Sequence, residues 1–428
     1  MNVATIGDLC DVIKGETGIT KAIPGAFPLV ATSEKRLSHN TFQFDADAVC
    51  VPLVSSTGHG HASINRVHFQ SGKFALGSIL AAVIPKDTKK LLPKYLHIYL
   101  SQTKEKSLVP LMKGGANVSL TIGRLKTVKL IIPNLENQIE IIKIFEKSQK
   151  FLTDFTKHFD NQTQHLQKLR EAILQEAVEG KLVPQDSNDE PASELLKQVT
   201  IENEKLTTEH KVKKEKTFPP ISPDETTFEL PDGWVFARLK TASQMIVDCP
   251  HSTPHYLEEE TGYYGIDTNC IDGKGKITRL RNLSKDNYLN RIKRLTPMVN
   301  DIVYSREGTI GLSTLIPDGR KICLGQRVIL IRPSRSILPE YLKIHLTGKH
   351  FVDKLMEKNR GIGAKHVNVK DINRSVIAIP PTNEQKRIVE KVGQLMNICD
   401  QLELRLNESK QNAEKLMHTV LSENFQVK

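Results

Sequence analysis

The string Asp248-Cys249-Pro250-His251-Ser252-Thr253-Pro254-His255 packs a thiol, two imidazoles and a carboxylate into one short stretch. These are the groups that ligate zinc or assemble a nucleophile. No second ligand pair of suitable spacing accompanies them, so neither a metal site nor a catalytic residue is expected here. Pro317-Asp318-Gly319 begins like a nuclease carboxylate set, but no Glu-x-Lys follows at a useful distance, and it reads as a turn. Ile379-Pro380-Pro381-Thr382 has the prolines of the Asn-Pro-Pro-aromatic tetrapeptide with which amino-methyltransferases hold a base, without the Asn or the aromatic. It reads as a strand ending before a helix. No Gly-x-x-x-x-Gly-Lys-Ser/Thr loop is present, which argues against motor chemistry in this chain.

What remains is binding chemistry. The net charge of +11 and pI near 9.2 suit a polyanionic partner, although charge alone does not establish one. Base reading needs donors and acceptors on loops, while Lys and Arg on phosphates mainly position. The candidate in the first part of the chain is Ser55-Ser56-Thr57-Gly58-His59-Gly60-His61-Ala62-Ser63-Ile64-Asn65-Arg66, whose glycines let the backbone approach a partner. Its reading groups are Ser55, Thr57, His59, His61, Asn65 and Arg66. In the last part the candidates are His251, Ser252 and Thr253, then Ser305 and Arg306, with Gln326 and Arg327 following. Arg306 suits guanine and Gln326 suits adenine, and either is equally suited to an internal salt bridge or turn contact. Lys113, Asn117, Arg360, Lys365 and His366 flank Gly-rich turns and are candidate phosphate contacts, against ordinary loop solvation.

The elements that must position these loops come from a chain written twice. Leu92-Pro93-Lys94-Tyr95-Leu96-His97-Ile98-Tyr99-Leu100 returns as Leu338-Pro339-Glu340-Tyr341-Leu342-Lys343-Ile344-His345-Leu346, identical at six of nine positions. From Gly114/Gly361 to Lys181/Lys428 a constant offset of 247 holds without a gap. Along it Ile141, Phe145, Leu152, Phe155, Phe159, Leu166, Leu169 and Ile173 recur as Ile388, Val392, Cys399, Leu402, Leu406, Ala413, Leu416 and Val420. Ser148/Leu395 and Gln162/Ser409 fill the gaps, so the steps alternate four and three. That heptad stripe predicts two helices of about 40 residues, roughly 60 Å long, zipped against each other. Antiparallel pairing fits best, because it sets the end of the first helix beside the domain that begins near Trp234.

The expected fold is therefore α+β. Two mixed α/β domains (1–133 and 233–380) are joined by long helices (134–181 and 381–428) that form an antiparallel coiled coil, a pseudo-twofold internal repeat. Between them, 182–232 reads as a linker holding a short helix, with a solvated lysine run and prolines. Strands are expected at Ala48–Val54, Ser78–Ile84, Asp301–Tyr304 and Arg327–Ile331, and a helix from each of Pro93 and Pro339. Six cysteines without paired short spacing argue for a reducing cytosol. With no leader and no membrane-length apolar run, a cytoplasmic protein without membrane contact is expected. Two unlike domains on a symmetric frame match double-stranded DNA, whose half-sites lie about one turn (~34 Å) apart, and predict a bipartite, asymmetric target.

Pro133-Asn134-Leu135-Glu136-Asn137-Gln138 and Pro380-Pro381-Thr382-Asn383-Glu384-Gln385 resemble the lead-in to the conserved helices of type I restriction-modification specificity subunits. The stretch from Leu169 through Lys181-Leu182-Val183-Pro184-Gln185-Asp186, with Glu190-Pro191-Ala192-Ser193-Glu194-Leu195-Leu196 after it, closely resembles that family's central conserved region. Leu230-Pro231-Asp232-Gly233-Trp234 resembles the opening of its second target-recognition domain, and the likeness covers essentially the whole chain. The first domain departs from the pattern: it starts almost at Met1 without a copy of that opening. The resemblance implies a DNA-reading role, two modification methyltransferase subunits docked on the helical spacer, and two ATP-driven restriction subunits. S-adenosylmethionine, ATP and magnesium would belong to those partners, with no cofactor in this chain. The rival readings are a stand-alone nuclease or methyltransferase, and a coiled-coil scaffold that binds no DNA.

Overall fold

The computed structural model describes residues 2–57, 60–115, 117–208, 218–226, 228–357 and 366–423. They form two compact units, one of residues 1–161 and 406–428, the other of residues 162–405. Both long helices are present, Leu135–Val178 and Thr382–Glu423, and each contributes residues to both units.

The two domains repeat one construction. In the first, an antiparallel sheet runs in the order Cys10–Lys14, Leu80–Pro85, Ala48–Pro52, His68–Gln70. In the second, the corresponding order is Ser243–Asp248, Val328–Pro333, Ile302–Ser305, Ser313–Leu315. The central strands are runs of Val, Ile and Ala buried on both faces, which is why they read as continuous apolar segments rather than alternating ones. A second four-stranded sheet in each domain contains one parallel pair, Phe27–Val30 with Lys73–Leu76 and Tyr263–Ile266 with Lys321–Leu324. The first domain also has the strand that follows Trp234 in the second. Asn2–Thr5 pairs with Lys129–Ile132 as Val235–Arg238 pairs with Val376–Ile379.

The repeated glutamine joins each domain to its helix. Gln138 and Gln385 are fully buried and make the same bonds. The Leu92 N–H donates to Gln138 Oε1 at 2.9 Å, and the Leu338 N–H to Gln385 Oε1 at 2.9 Å. Each side-chain amide then donates to the carbonyl of the proline that ends the preceding strand, Pro133 (2.9 Å) and Pro380 (3.0 Å). These leucines precede Pro93 and Pro339, so the glutamine satisfies an orphan donor at the start of each domain helix, Pro93–Ser107 and Pro339–Thr347. Tyr95 and Tyr341 add matched bonds to the carbonyls of Ile131 and Ala378, each 2.8 Å. Gln385→Leu strands a buried N–H and a buried carbonyl, so a loss of about 1–3 kcal/mol is expected in urea unfolding of the purified chain. An unchanged midpoint would show that the glutamine holds nothing.

The apolar stripe departs from the expected alternation at single positions. Ile141, Phe145, Leu152, Phe155, Phe159, Leu395 and Leu406 are half-buried, and Ile173, Ile388 and Val392 are buried. Leu169, Leu402 and Leu416, expected in the stripe, are 46%, 41% and 63% exposed. Their C-terminal neighbours Arg170, Glu403 and Met417 are the better-covered residues, and Gln162 and Ser409 face solvent. The cause is the mismatch between 3.6 residues per turn and a strict 3.5 repeat, which a straight helix absorbs by an extra step of four. The side chain of Val420 lies outside the described residues.

Within the unit of residues 162–405 the helices run antiparallel. Arg170 meets Asp400 (2.5 Å) and Glu403 (3.1 Å), and Lys274, from a turn of the second domain, reaches the same carboxylates at 2.9 and 2.7 Å. Just past the end of the first helix, Trp234 links the chain to Glu384, near the start of the second. There Gly180 adopts φ +71° and lies so close to Pro231 and Trp234 that an added Cβ would fall 2.4 Å from Pro231 Cγ. The buried Trp234 donates from Nε1 to Glu384 Oε2 at 2.9 Å.

The segment between helix and domain is bound rather than free. Ala192, Leu195 and Val199 of the helix Ala192–Thr208 sit in the second domain's core with Ile302, Ile329 and Leu342. Arg238 holds Glu225 through both carboxylate oxygens and also donates to the carbonyls of Pro219 and Pro220, each 3.3 Å. The lysine run at 211–216 lies outside the described residues.

Candidate nucleic-acid interface

Each domain ends a central strand in a loop that is bonded to a stretch of chain leading toward its long helix, 118–120 in the first domain and 366–367 in the second. In the first domain the Leu120 N–H donates to Leu53 O at 2.8 Å and the Ser55 N–H to Val118 O at 3.0 Å. In the second, the Val367 N–H donates to Arg306 O at 2.9 Å, and Glu307 bridges to His366 as Val54 does to Ser119. One backbone scaffold thus presents two different sets of side chains.

In the first domain the loop is closed on itself. Ser55 is half-buried, and its hydroxyl donates to His61 O while accepting from the Thr57 and Ser63 N–H groups at 3.3 and 3.2 Å. The Thr57 and Ser63 hydroxyls pair at 2.9 Å, and Lys104 caps the Ile64 and Asn65 carbonyls, each 2.6 Å. This leaves Thr57, His61, Asn65 and Arg66 exposed, with Arg66 paired to Glu34 at 3.0 Å. Lys113 and Asn117 are exposed on the adjoining turn, where Gly114 has φ +146° and a Cβ would lie 2.1 Å from Asn117 O. Gly60 approaches Gly115 O, so loop and turn share one face. His59, Arg360 and Lys365 lie outside the described residues.

In the second domain a charged cluster occupies the same place. Arg306 is only 4% exposed and donates from Nε and Nη2 to Asp248 Oδ1 and Oδ2 at 2.9 and 3.1 Å. It therefore takes the internal salt bridge rather than reaching outward. Its Nη1 lies 3.0 Å from Glu307 Oε1 and 3.0 Å from His366 Nδ1. Ser305 is fully buried, its hydroxyl donating to Glu307 O at 3.2 Å. His251, Ser252 and Thr253 are exposed on a loop tied down by the buried Arg291, which donates to the carbonyls of Ser252 (3.0 Å), Leu324 (2.7 Å) and Gly325 (3.0 Å). Gln326 is half-buried. Arg327 is exposed, with φ +66° and its carbonyl accepting from the Arg306 N–H. Such a conformation is uncommon for a residue with a Cβ.

Glu307, and the pairing of Asp248 with Arg306, are what sequence reasoning did not single out. The signal for Glu307 was adjacency to Arg306; Asp248 pairs across 58 residues and left none. Cys249 is buried, and burial pushes its thiol up, the opposite of what a thiolate nucleophile needs. Among the described residues no group of three or more His, Cys, Asp or Glu could hold a metal ion. No helix among them is long and apolar enough to cross a membrane.

The sequence profile of the type I restriction modification DNA specificity domain matches residues 1–165 and 262–409, once on each half of the chain. The chain belongs to this family. It is 33% identical over 256 residues to the type I restriction enzyme EcoAI specificity subunit of Escherichia coli, covering 57% of this chain and 42% of that protein. It is 30% identical over 301 residues to the EcoEI specificity subunit of the same organism, covering 67% of this chain and 49% of that one. The match thus spans about half the length of these relatives. A chain from a structural study of complex assembly and conformational transition of the type I R-M system superposes with a TM-score of 0.58 at 16% identity, over 99% of this chain and 97% of that one. The shared fold is this family's: two mixed α/β domains and two long helices.

Proposed function

We propose that this chain is the non-catalytic DNA-reading subunit of a type I restriction-modification complex. Each domain reads one half of a bipartite, asymmetric target in double-stranded DNA, and the long helices dock two methyltransferase subunits, which two ATP-driven restriction subunits join. S-adenosylmethionine, ATP and magnesium act on those partners. The observation that carries this reading is the repeated loop-and-turn scaffold furnished with unlike side chains: Ser55, Thr57, His61 and Asn65 in one domain, Arg306, Glu307 and His366 in the other. A shared frame with different hydrogen-bonding groups is what two different half-sites require, since base edges are distinguished by donor and acceptor pattern.

The purified chain, incubated with duplex DNA, magnesium and S-adenosylmethionine, is expected neither to cut nor to transfer methyl groups. Joined to its methyltransferase subunits it binds DNA with an affinity that falls about 10³-fold or more between 50 and 200 mM salt, as counterion release at six to ten phosphates demands. Cutting or methyl transfer by the chain alone, or salt-insensitive binding by the complex, would contradict the reading.

A further inference from the structure

We infer that Glu307 reads a cytosine in the half-site of the second domain, its Oε2 accepting a hydrogen from the 4-amino group in the major groove. This rests on the DNA-reading role proposed above and names one chemical contact within it. Glu307 opens the loop after the strand Ile302–Ser305, and its side chain is 33% exposed. Its Oε1 lies 3.0 Å from Arg306 Nη1 and 3.0 Å from His366 Nδ1, while Oε2 has no hydrogen-bond partner among the described residues. Gly308 follows with φ +73° and nothing within 4 Å of an added Cβ, so the backbone beside the carboxylate faces open space.

Three features suit this group to base reading. Its Oε1 lies against the Arg306 guanidinium, which Asp248 shares, so Oε1 is held inward and Oε2 is the oxygen left to accept. It is also pre-oriented, because Arg306 is held through two bonds to Asp248 and cannot swing away. Finally, an ionised carboxylate only accepts, so it is repelled by guanine O6 and thymine O4 and attracted to an exocyclic amine. Adenine sets the N7 acceptor beside its amine, whereas cytosine presents the amine alone, so cytosine is the base selected. Asp248 and Arg306 are then positioning residues. In the first domain the matching position is Val54, so this contact belongs to one half-site only.

The test uses the complex of this chain with its methyltransferase subunits, mapping methylated sites across genomic DNA for the unmodified chain and for Glu307→Gln. The expected result is an unchanged first half-site and a second half-site in which one C·G pair loses about tenfold of its selectivity, with Glu307→Asp restoring part of it. A second arm leaves the protein intact and replaces that cytosine by 2-pyrimidinone, which lacks the amine. Removing the amine should weaken the unmodified complex about tenfold and the Glu307→Gln complex less, because the neutral amide carbonyl accepts more weakly than a carboxylate. A merely structural role for Glu307 would give equal losses in both complexes. An unchanged motif, relaxation at a position that is not C·G, or additive losses overturns the assignment. Failure of the DNA-reading role itself is a separate result: the unmodified complex would yield no methylated motif.

Discussion

Exchanging residues 1–132 for the first domain of another family member is expected to replace one block of bases in the methylated target and leave the other block intact. The two domains have separate cores, one built around Val49, Val83 and Leu96 and the other around Ile302, Ile331 and Leu342. At the joint to the first long helix Gln138 bonds only backbone atoms of the domain, at Lys90, Leu92 and Pro133, beside the packing of Ile141 and Ile142 and the Lys94–Glu146 ion pair. An incoming domain that supplies the same backbone meets the Gln138 bonds whatever side chains its reading loop carries. Each wrong base pair costs about 1–3 kcal/mol, so three altered positions change target preference by about 10²- to 10⁶-fold. Methylation mapping in a host expressing the exchanged complex reads the outcome. Changes in both blocks, or in neither, would mean that the domains do not read independently.

Trp234→Ala should be the most damaging single substitution away from the reading loops. The indole is buried, crosses Tyr341 edge-on at 6.4 Å, fills the space that Gly180 leaves open, and donates to Glu384 at 2.9 Å. Removing so large a buried side chain costs about 3–5 kcal/mol. It also loosens the point where the first helix, the second helix and the second domain meet. Trp234→Phe keeps most of the ring and loses only the N–H, so about 1–3 kcal/mol is expected. The two variants also differ in how pH acts on them. Glu384 is buried with Oε1 unpaired, and burial raises its carboxyl above the ordinary carboxylate range while the Trp234 N–H holds it down. Without that N–H the folded state, which already binds this proton more tightly than the unfolded chain does, binds it more tightly still. Stability of Trp234→Phe should therefore recover as pH falls from 7 toward 5, since the folded state then takes up more protons. Urea unfolding at the two pH values tests this, and an equal deficit at both would show that Glu384 is not the group left stranded.

The large features were legible because they rest on repetition and periodicity. The matched Leu-Pro-x-Tyr-Leu motifs, the constant offset and the long apolar stripes all announce themselves in one sequence, and the domain helices begin at Pro93 and Pro339 as expected. What escaped depends on distance along the chain or on single-residue drift. Gln138 was visible as part of a motif, but its role lies in a bond to Leu92, 46 residues earlier. Leu169 and Leu416 fit a strict heptad and yet face solvent, because a straight helix falls about 20° short of two full turns in each heptad. Arg306 is of the right type for guanine, and only its pairing with Asp248 shows that its charge is spent inside the fold, leaving Glu307 as the outward group.

The same separation between frame and reader explains why the two halves can diverge. The bonds that set loop against turn are backbone bonds in both domains, so side chains at Val54 and Glu307, or Ser119 and His366, are free to differ. Specificity then changes without refolding the scaffold.

Mapping the bases methylated by the unmodified complex tests the central claim most directly. Two unlike blocks of specified bases, separated by a constant number of unspecified ones, are predicted. One contiguous block, or a palindrome with identical halves, would contradict it.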